Sequence, residues 1–225
     1  MGNVDIGLFI LYMVALVFSL SAHEAGHAWM SNRFGDDLAR SQGRISLNPV
    51  THVDPIGTLL FPALSFFTGA PLLGWARPTP VNPLRWRDKR VANIWVSLAG
   101  VICNAIIAIV AGITIRILFE TGVVDAWPLT PTNTNSPLAV GAVKMLQIFF
   151  TLNVVLAVFN LIPVPPLDGG KILGSLLPDS FSSAIDALEQ FGFILLFIAV
   201  FTGVFTALFR VVMPLAIKAI FIGAF

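Results

Sequence analysis

The sequence predicts an all-α polytopic membrane protein. We expect a three-helix core, a re-entrant and partly extended segment between the first and second spans, and further helices at the C-terminal end. Three observations carry this. The 225 residues are 56% hydrophobic and only 11% charged, whereas a soluble domain carries about 25% charged residues. The mean hydropathy is +0.88, and no water-soluble fold hides that much apolar surface. Long apolar runs alternate with polar stretches in which Lys and Arg are unevenly shared. The net charge of +1 gives no reason for a nucleic-acid partner, and the lone Cys103 excludes a disulfide framework or a Cys-based metal site.

The chain reads as one membrane domain, 1–225, with its core at 4–170. Residues 4–30 form the first span, long enough for a ~30 Å hydrocarbon core. Its apolar stretch, Ile6 to Ala22, exceeds the ~7–15 residues of a signal-peptide core and lacks a basic leader, so it is read as retained. Asn32 to Asp54 is polar. The alternation in Arg40–Leu47 suggests a short strand or extended piece. Pro55 to Trp75 is apolar but broken by Pro55, Gly57, Pro62, Gly69, Pro71 and Gly74. Arg77 to Arg90 is the most basic loop. Spans follow at 92–119 and 138–162, separated by a loop, Thr121 to Pro137, with no Lys or Arg. Phe181 to Gln190 reads as an amphipathic stretch, Phe191 to Phe209 as another span, and Val211 to Phe225 is short for a span, so C-terminal helices occupy about 181–225.

Charge decides the broken segment. If 55–75 crossed the membrane, the two basic loops would lie on opposite sides. If it re-enters, both face the cytoplasm and the Lys/Arg-free loop lies outside, as the positive-inside rule requires. Irregular backbone at that depth is tolerable only against protein or a wet cavity.

The first span ends in His23-Glu24-Ala25-Gly26-His27. Residues i and i+4 share a helix face, so both imidazoles can turn toward one ion, with Glu24 beside them as a general base. This is the pattern of a zinc hydrolase. A carboxylate inside an apolar helix is costly, which makes Glu24 a functional residue by default. A catalytic zinc takes three protein ligands and keeps one open position. Asp168, Asp54, Asp36 and Asp37 are the carboxylates available for the third. Asp168 is the best placed, because it follows a long apolar helix and the break Pro163-Val-Pro-Pro-Leu, and Gly169-Gly170 permits a sharp turn. In the re-entrant arrangement it also returns to the side of the histidines. His52, just ahead of the broken segment, could reach the site as an oxyanion donor or as a group supporting the ligands from behind, or simply sit in an interfacial loop.

Four motifs in order carry a resemblance: His23-Glu24-Ala-Gly-His27, Gly74-Trp75-Ala-Arg-Pro-Thr-Pro-Val-Asn82-Pro83, Ser97-Leu-Ala-Gly100 with Asn104, and Asn160-Leu-Ile-Pro163-Val-Pro165-Pro166-Leu-Asp168-Gly169-Gly170. Together they resemble the site-2 protease family of intramembrane zinc metalloproteases. The resemblance implies a catalytic core of three helices, one Zn2+ per chain held by His23, His27 and Asp168, and cleavage of transmembrane protein substrates within the lipid bilayer. It implies that Asn160 contacts substrate backbone or the oxyanion, and allows Asn104 to line the cavity. Small size and the resemblance suggest a prokaryotic plasma membrane, and the charge argument puts the site nearer the cytoplasmic face. Gly100-Val101 departs from the family's frequent Gly-Pro. No stretch leaves room for a PDZ or CBS domain, so the chain reads as a minimal member. The competing function is a non-proteolytic zinc-binding membrane protein, a carrier or adaptor. Such a protein has no need of Glu24, and a carrier would string several ionisable groups through its spans.

Overall fold

A computed structural model of the chain describes residues 5–69, 74–125, 127–132 and 136–222. Residue 4 of the first expected span, residues 70–73 of the broken segment and the last three residues lie outside the described residues. Eight helices appear among the described residues. They are α1 (Ile6–Arg33), α2 (Leu38–Ser41), α3 (Phe61–Thr68), α4 (Lys89–Glu120), α5 (Pro137–Asn160), α6 (Asp168–Leu176), α7 (Ser182–Phe201) and α8 (Val204–Ile220). No strand forms among them, only an isolated bridge between Val124 and Pro131. Four helices are long and apolar enough to cross a membrane: α1, α4, α5, and α7 from Ser183 to Phe201. The protein is an integral membrane protein, with exposed apolar rows such as Ile102, Ile106, Ile109 and Ile113 that only lipid would accommodate.

Local chemistry sets the helix starts. Asp5 accepts from the Leu8 N–H at 2.9 Å to open α1. Asp88 does the same for α4 through Val91 at 3.0 Å. Pro137 takes the first position of α5, where its missing N–H costs nothing. Helices α1, α4 and α5 pack on one another as the core, α6 lies on α4, and α8 returns against α4 and α5. The α1–α4 contact is closest at two glycines. A Cβ on Gly26 would lie 2.8 Å from Cys103 Sγ and 2.9 Å from the Ala99 carbonyl oxygen. One on Gly100 would lie 2.6 Å from the His27 ring. Small residues of this kind let helix backbones approach closely in a bilayer.

The broken segment folds back on itself. Asp54 accepts from Ile56 and Gly57 and starts a wide π-helical turn, Pro55–Leu60, which runs into α3. Gly69, at φ +69°, ends α3. Phe66 meets Phe9 and Tyr12, so the segment runs back along α1 for about 22 Å at 1.5 Å per residue, from the level of Glu24. The return limb is non-helical. The Trp75 N–H donates to the Gly57 oxygen at 3.1 Å, and the Arg77 N–H to the His52 oxygen at 2.8 Å. Entry and exit are therefore stapled together.

Two expectations need correction. Residues 40–47 form no strand. The Asp36 carboxylate, fully buried, accepts from Leu38 N–H, Ser31 Oγ and Asn82 N–H; this pins the chain into the short α2, and no neighbouring strand is there to pair. The C-terminal helices also divide elsewhere. Phe181–Gln190 and Phe191–Phe209 are not separate units: α7 is continuous to Phe201, and Gly203, at φ +80°, turns the chain into α8.

With Cys103 replaced by Ser, single cysteines at Ile45 and Arg85 should be labelled by an impermeant thiol reagent from the same face of the membrane, and one at Val123 from the other. Labelling of 45 and 85 from opposite faces would contradict the folded-back segment.

Candidate active site

His23 and His27 project from the buried side of α1, 6% and 8% exposed. Their rings meet edge to face with centroids 4.5 Å apart. His23 Nδ1 lies 2.7 Å from Asn104 Oδ1, and His27 Nδ1 lies 2.6 Å from the Val96 carbonyl oxygen. Amide oxygens only accept, so each Nδ1 carries the proton and donates. Each neutral imidazole then presents a bare lone pair at Nε2. The two Nε2 atoms face one another at 2.9 Å.

Asp168 completes a triangle. Its Oδ2 lies 3.2 Å from each Nε2, is buried, and makes no hydrogen bond. Its other oxygen accepts from Lys171 Nζ at 3.0 Å. Three acceptor atoms thus converge with no donor among them. Such an arrangement repels itself unless a cation sits in the middle. Tetrahedral zinc with ligands at about 2.0–2.2 Å has ligand–ligand edges of roughly 3.3–3.6 Å, close to the triangle observed. The residues fit a zinc ion.

The chain segments explain how Asp168 arrives. Pro163–Pro166 ends α5, and α6 restarts at Asp168 itself. Side chains at 169 or 170 would drive into the backbone at Leu161–Ile162 or Val164–Pro165, so both positions require glycine. Helix α6 is then tied to α4: Arg90 donates to the Ser175 and Leu176 carbonyls, and Asn93 to Ser175 Oγ at 2.7 Å.

Glu24 is half-buried, and the ligand atoms of His23, Glu24 and His27 lie within 4.8 Å of one another. The backbone N–H of Thr79 donates to Glu24 Oε2 at 2.8 Å, and Thr79 Oγ1 donates to the Glu24 carbonyl at 3.0 Å. Pro78 and Pro80 flank Thr79 and have no N–H, so the return limb offers Glu24 this one backbone donor. The site opens on a cavity of about 950 Å³ lined by His23, Glu24, Asp168, Trp75, Asn160 and the inner face of α7.

The remaining candidates fall elsewhere. Asn160 lines the cavity, its amide donating to the Leu156 carbonyl at 2.9 Å. Asn104 is fully buried behind His23 and holds that ring rather than facing the cavity. His52 is off the cavity wall; its Nε2 donates to the Ser46 carbonyl at 2.8 Å and its own carbonyl accepts from Arg77. Both depart from the substrate-facing roles considered for them. Asp36 is saturated by three donors, Asp37 pairs with Arg85, and Asp54 caps the turn at Pro55. Sequence reasoning missed Thr79, Lys171 and the Val96 carbonyl. Only Thr79 had a signal, its place between two prolines.

The family model for peptidase family M50 matches residues 11–200. The chain is 34% identical over 186 residues to the protein named "Putative zinc metalloprotease YwhC" of Bacillus subtilis (strain 168), covering 83% of this chain and 78% of that one. It is 28% identical over 194 residues to "Putative zinc metalloprotease Rip2" of Mycolicibacterium smegmatis (strain ATCC 700084 / mc(2)155), covering 86% of this chain and 67% of that one. A Rip2 of the same name from Mycobacterium tuberculosis (strain ATCC 25618 / H37Rv) is 28% identical over 192 residues, covering 85% of this chain and 67% of its own. No solved structure matches significantly. The chain belongs to peptidase family M50, the site-2 protease family of membrane zinc metalloproteases.

Proposed function

We propose that this protein cleaves peptide bonds of transmembrane substrates within the bilayer, in regulated intramembrane proteolysis. In this reading His23, His27 and Asp168 hold one zinc ion per chain and Glu24 is the general base. The observation that carries it is the triangle of unprotonated acceptors opening, beside Glu24, on a cavity lined by α1, α5, α7 and the return limb of the broken segment. When bound, zinc supplies Lewis acidity that activates water near neutral pH and polarises a carbonyl.

The chain's own residues do the rest. Thr79 fixes Glu24 by one carboxylate oxygen and leaves the other free for the attacking water. Glu24 takes the water's proton as oxygen bonds to the scissile carbon. It then passes that proton to the leaving amine nitrogen as the C–N bond breaks. Asn160 contacts substrate backbone or the oxyanion in this reading, which its place on the cavity wall supports. A helical substrate must unwind before its carbonyl is accessible, so Gly and other weak helix formers near the cut favour cleavage. Arg33, Arg44, Arg77, Arg85, Arg87, Lys89 and Arg90 gather toward the end of the molecule that holds the site, which supports a site nearer the cytoplasmic face. The bacterial relatives support a prokaryotic plasma membrane.

The test is metal content together with cleavage of a membrane-embedded peptide. Glu24→Gln should retain zinc at wild-type stoichiometry and lose hydrolysis by roughly 10²–10⁴-fold. Normal turnover in that variant would defeat the mechanism. Asp168→Ala should purify with sharply reduced zinc; unchanged stoichiometry would move the third ligand elsewhere. Thr79→Pro should keep zinc while kcat falls about tenfold or more, because a hydrogen bond to a charged group is worth ~1.5–3 kcal/mol. Wild-type protein that holds zinc but cleaves nothing would return the chain to the carrier or adaptor class.

A further inference from the structure

We propose that Asn153 on α5 is a positioning residue for the metal site: it fixes the tautomer of His23 from two hydrogen bonds away. The inference rests on the reading of His23 as a zinc ligand. His27 has a main-chain carbonyl, Val96, behind its Nδ1, and that acceptor cannot turn round. His23 has instead a side-chain amide, Asn104, which can. Flipped, Asn104 would present its NH2 to Nδ1. His23 would then need its lone pair there and its proton on Nε2, aimed into the site, where it blocks a metal.

The orientation of Asn104 is set in turn by its other partners. Its Nδ2 donates to Asn153 Oδ1 at 2.9 Å and to the Ser19 carbonyl at 3.3 Å. Asn153 Nδ2 donates to the Phe149 carbonyl and to Ser19 Oγ, both at 2.8 Å. The Phe149 and Ser19 carbonyls can only accept, so the polarity runs one way; the shorter of the two bonds that hold Asn104, at 2.9 Å against 3.3 Å, is the one that comes through Asn153. Ser19, Asn104 and Asn153 are each fully buried, so no solvent substitutes for a lost partner, and a reversed amide leaves buried polar groups unsatisfied. Asn153 is absent from the cavity wall. Two amides in the middle of apolar helices are costly; orienting His23 gives that cost a function.

The experiment compares wild type, Asn153→Leu, Asn153→Asp and the neighbouring core variant Leu152→Ala in detergent. Zinc affinity is read by chelator competition. The His23 tautomer is read by 15N NMR of labelled histidine in zinc-free protein, at a pH where the imidazoles are neutral. Asn153→Leu should weaken zinc binding about 10–100-fold and populate the Nε2–H form of His23. Asn153→Asp, neutral when buried, keeps one acceptor for Asn104 and one donor for Phe149, and should stay near wild type. Leu152→Ala should unfold at lower temperature with unchanged zinc affinity. The proposal is overturned if Asn153→Leu binds zinc like wild type, or if Asn153→Asp loses as much as Asn153→Leu. Should Asn153→Leu not fold, Asn153→Ala takes its place with the same two readouts: weakened zinc and Nε2–H on His23 support the relay, and wild-type behaviour in both overturns it, as would Nε2–H on His23 in wild type. Wild type without zinc affinity but with Nδ1–H on His23 would sink the zinc reading and leave the relay standing.

Discussion

Two imidazole lone pairs and a carboxylate oxygen face one another in a buried place with no proton between them, and the rest of the fold is subordinate to that. Each Nδ1 is committed to an oxygen that can only accept. Each Nε2 is thereby stripped of its proton, and Asp168 Oδ2 joins them without a hydrogen bond. A buried polar atom left unpaired costs about 1–3 kcal/mol, and facing acceptors repel besides. A single cation removes all of these penalties together.

The surrounding structure serves to hold that arrangement. Gly26 and Gly100 bring α1 and α4 to contact, so that Asn104 and the Val96 carbonyl reach the backs of the two rings. The proline break after α5 and the two glycines after Asp168 turn α6 onto α4, where Arg90 and Asn93 clamp it. Lys171 occupies one carboxylate oxygen and leaves the other to the site. The folded-back segment delivers Thr79 to Glu24. A segment that crossed the membrane once would have carried Thr79 away.

Much of this was legible in the residues. His23, Glu24 and His27 declare themselves by helical spacing inside an apolar run, and Asp168 by the Pro- and Gly-rich break that precedes it. The fold-back followed from prolines and charge. What stayed hidden has physical causes. A main-chain carbonyl such as Val96 leaves no mark in sequence. The Asn104–His23 bond joins residues 81 apart, and its meaning depends on which way an amide points. His52 looked like a site residue because it is a histidine beside a polar loop; its Nε2 is spent on the Ser46 carbonyl instead. The amphipathic stretch Phe181–Gln190 read as distinct from the apolar run that follows it, but both lie on a continuous α7, where Asp186 and Glu189 line the cavity.

The central claim is the identity of the atoms that hold the metal, and X-ray absorption at the zinc edge tests it most directly. Purified protein carrying one zinc per chain should show two imidazole nitrogens at about 2.0–2.1 Å and oxygen scattering at about 2.0–2.2 Å, with no sulfur shell. A sulfur shell at about 2.3 Å, or a metal surrounded by oxygen without imidazole, would contradict it.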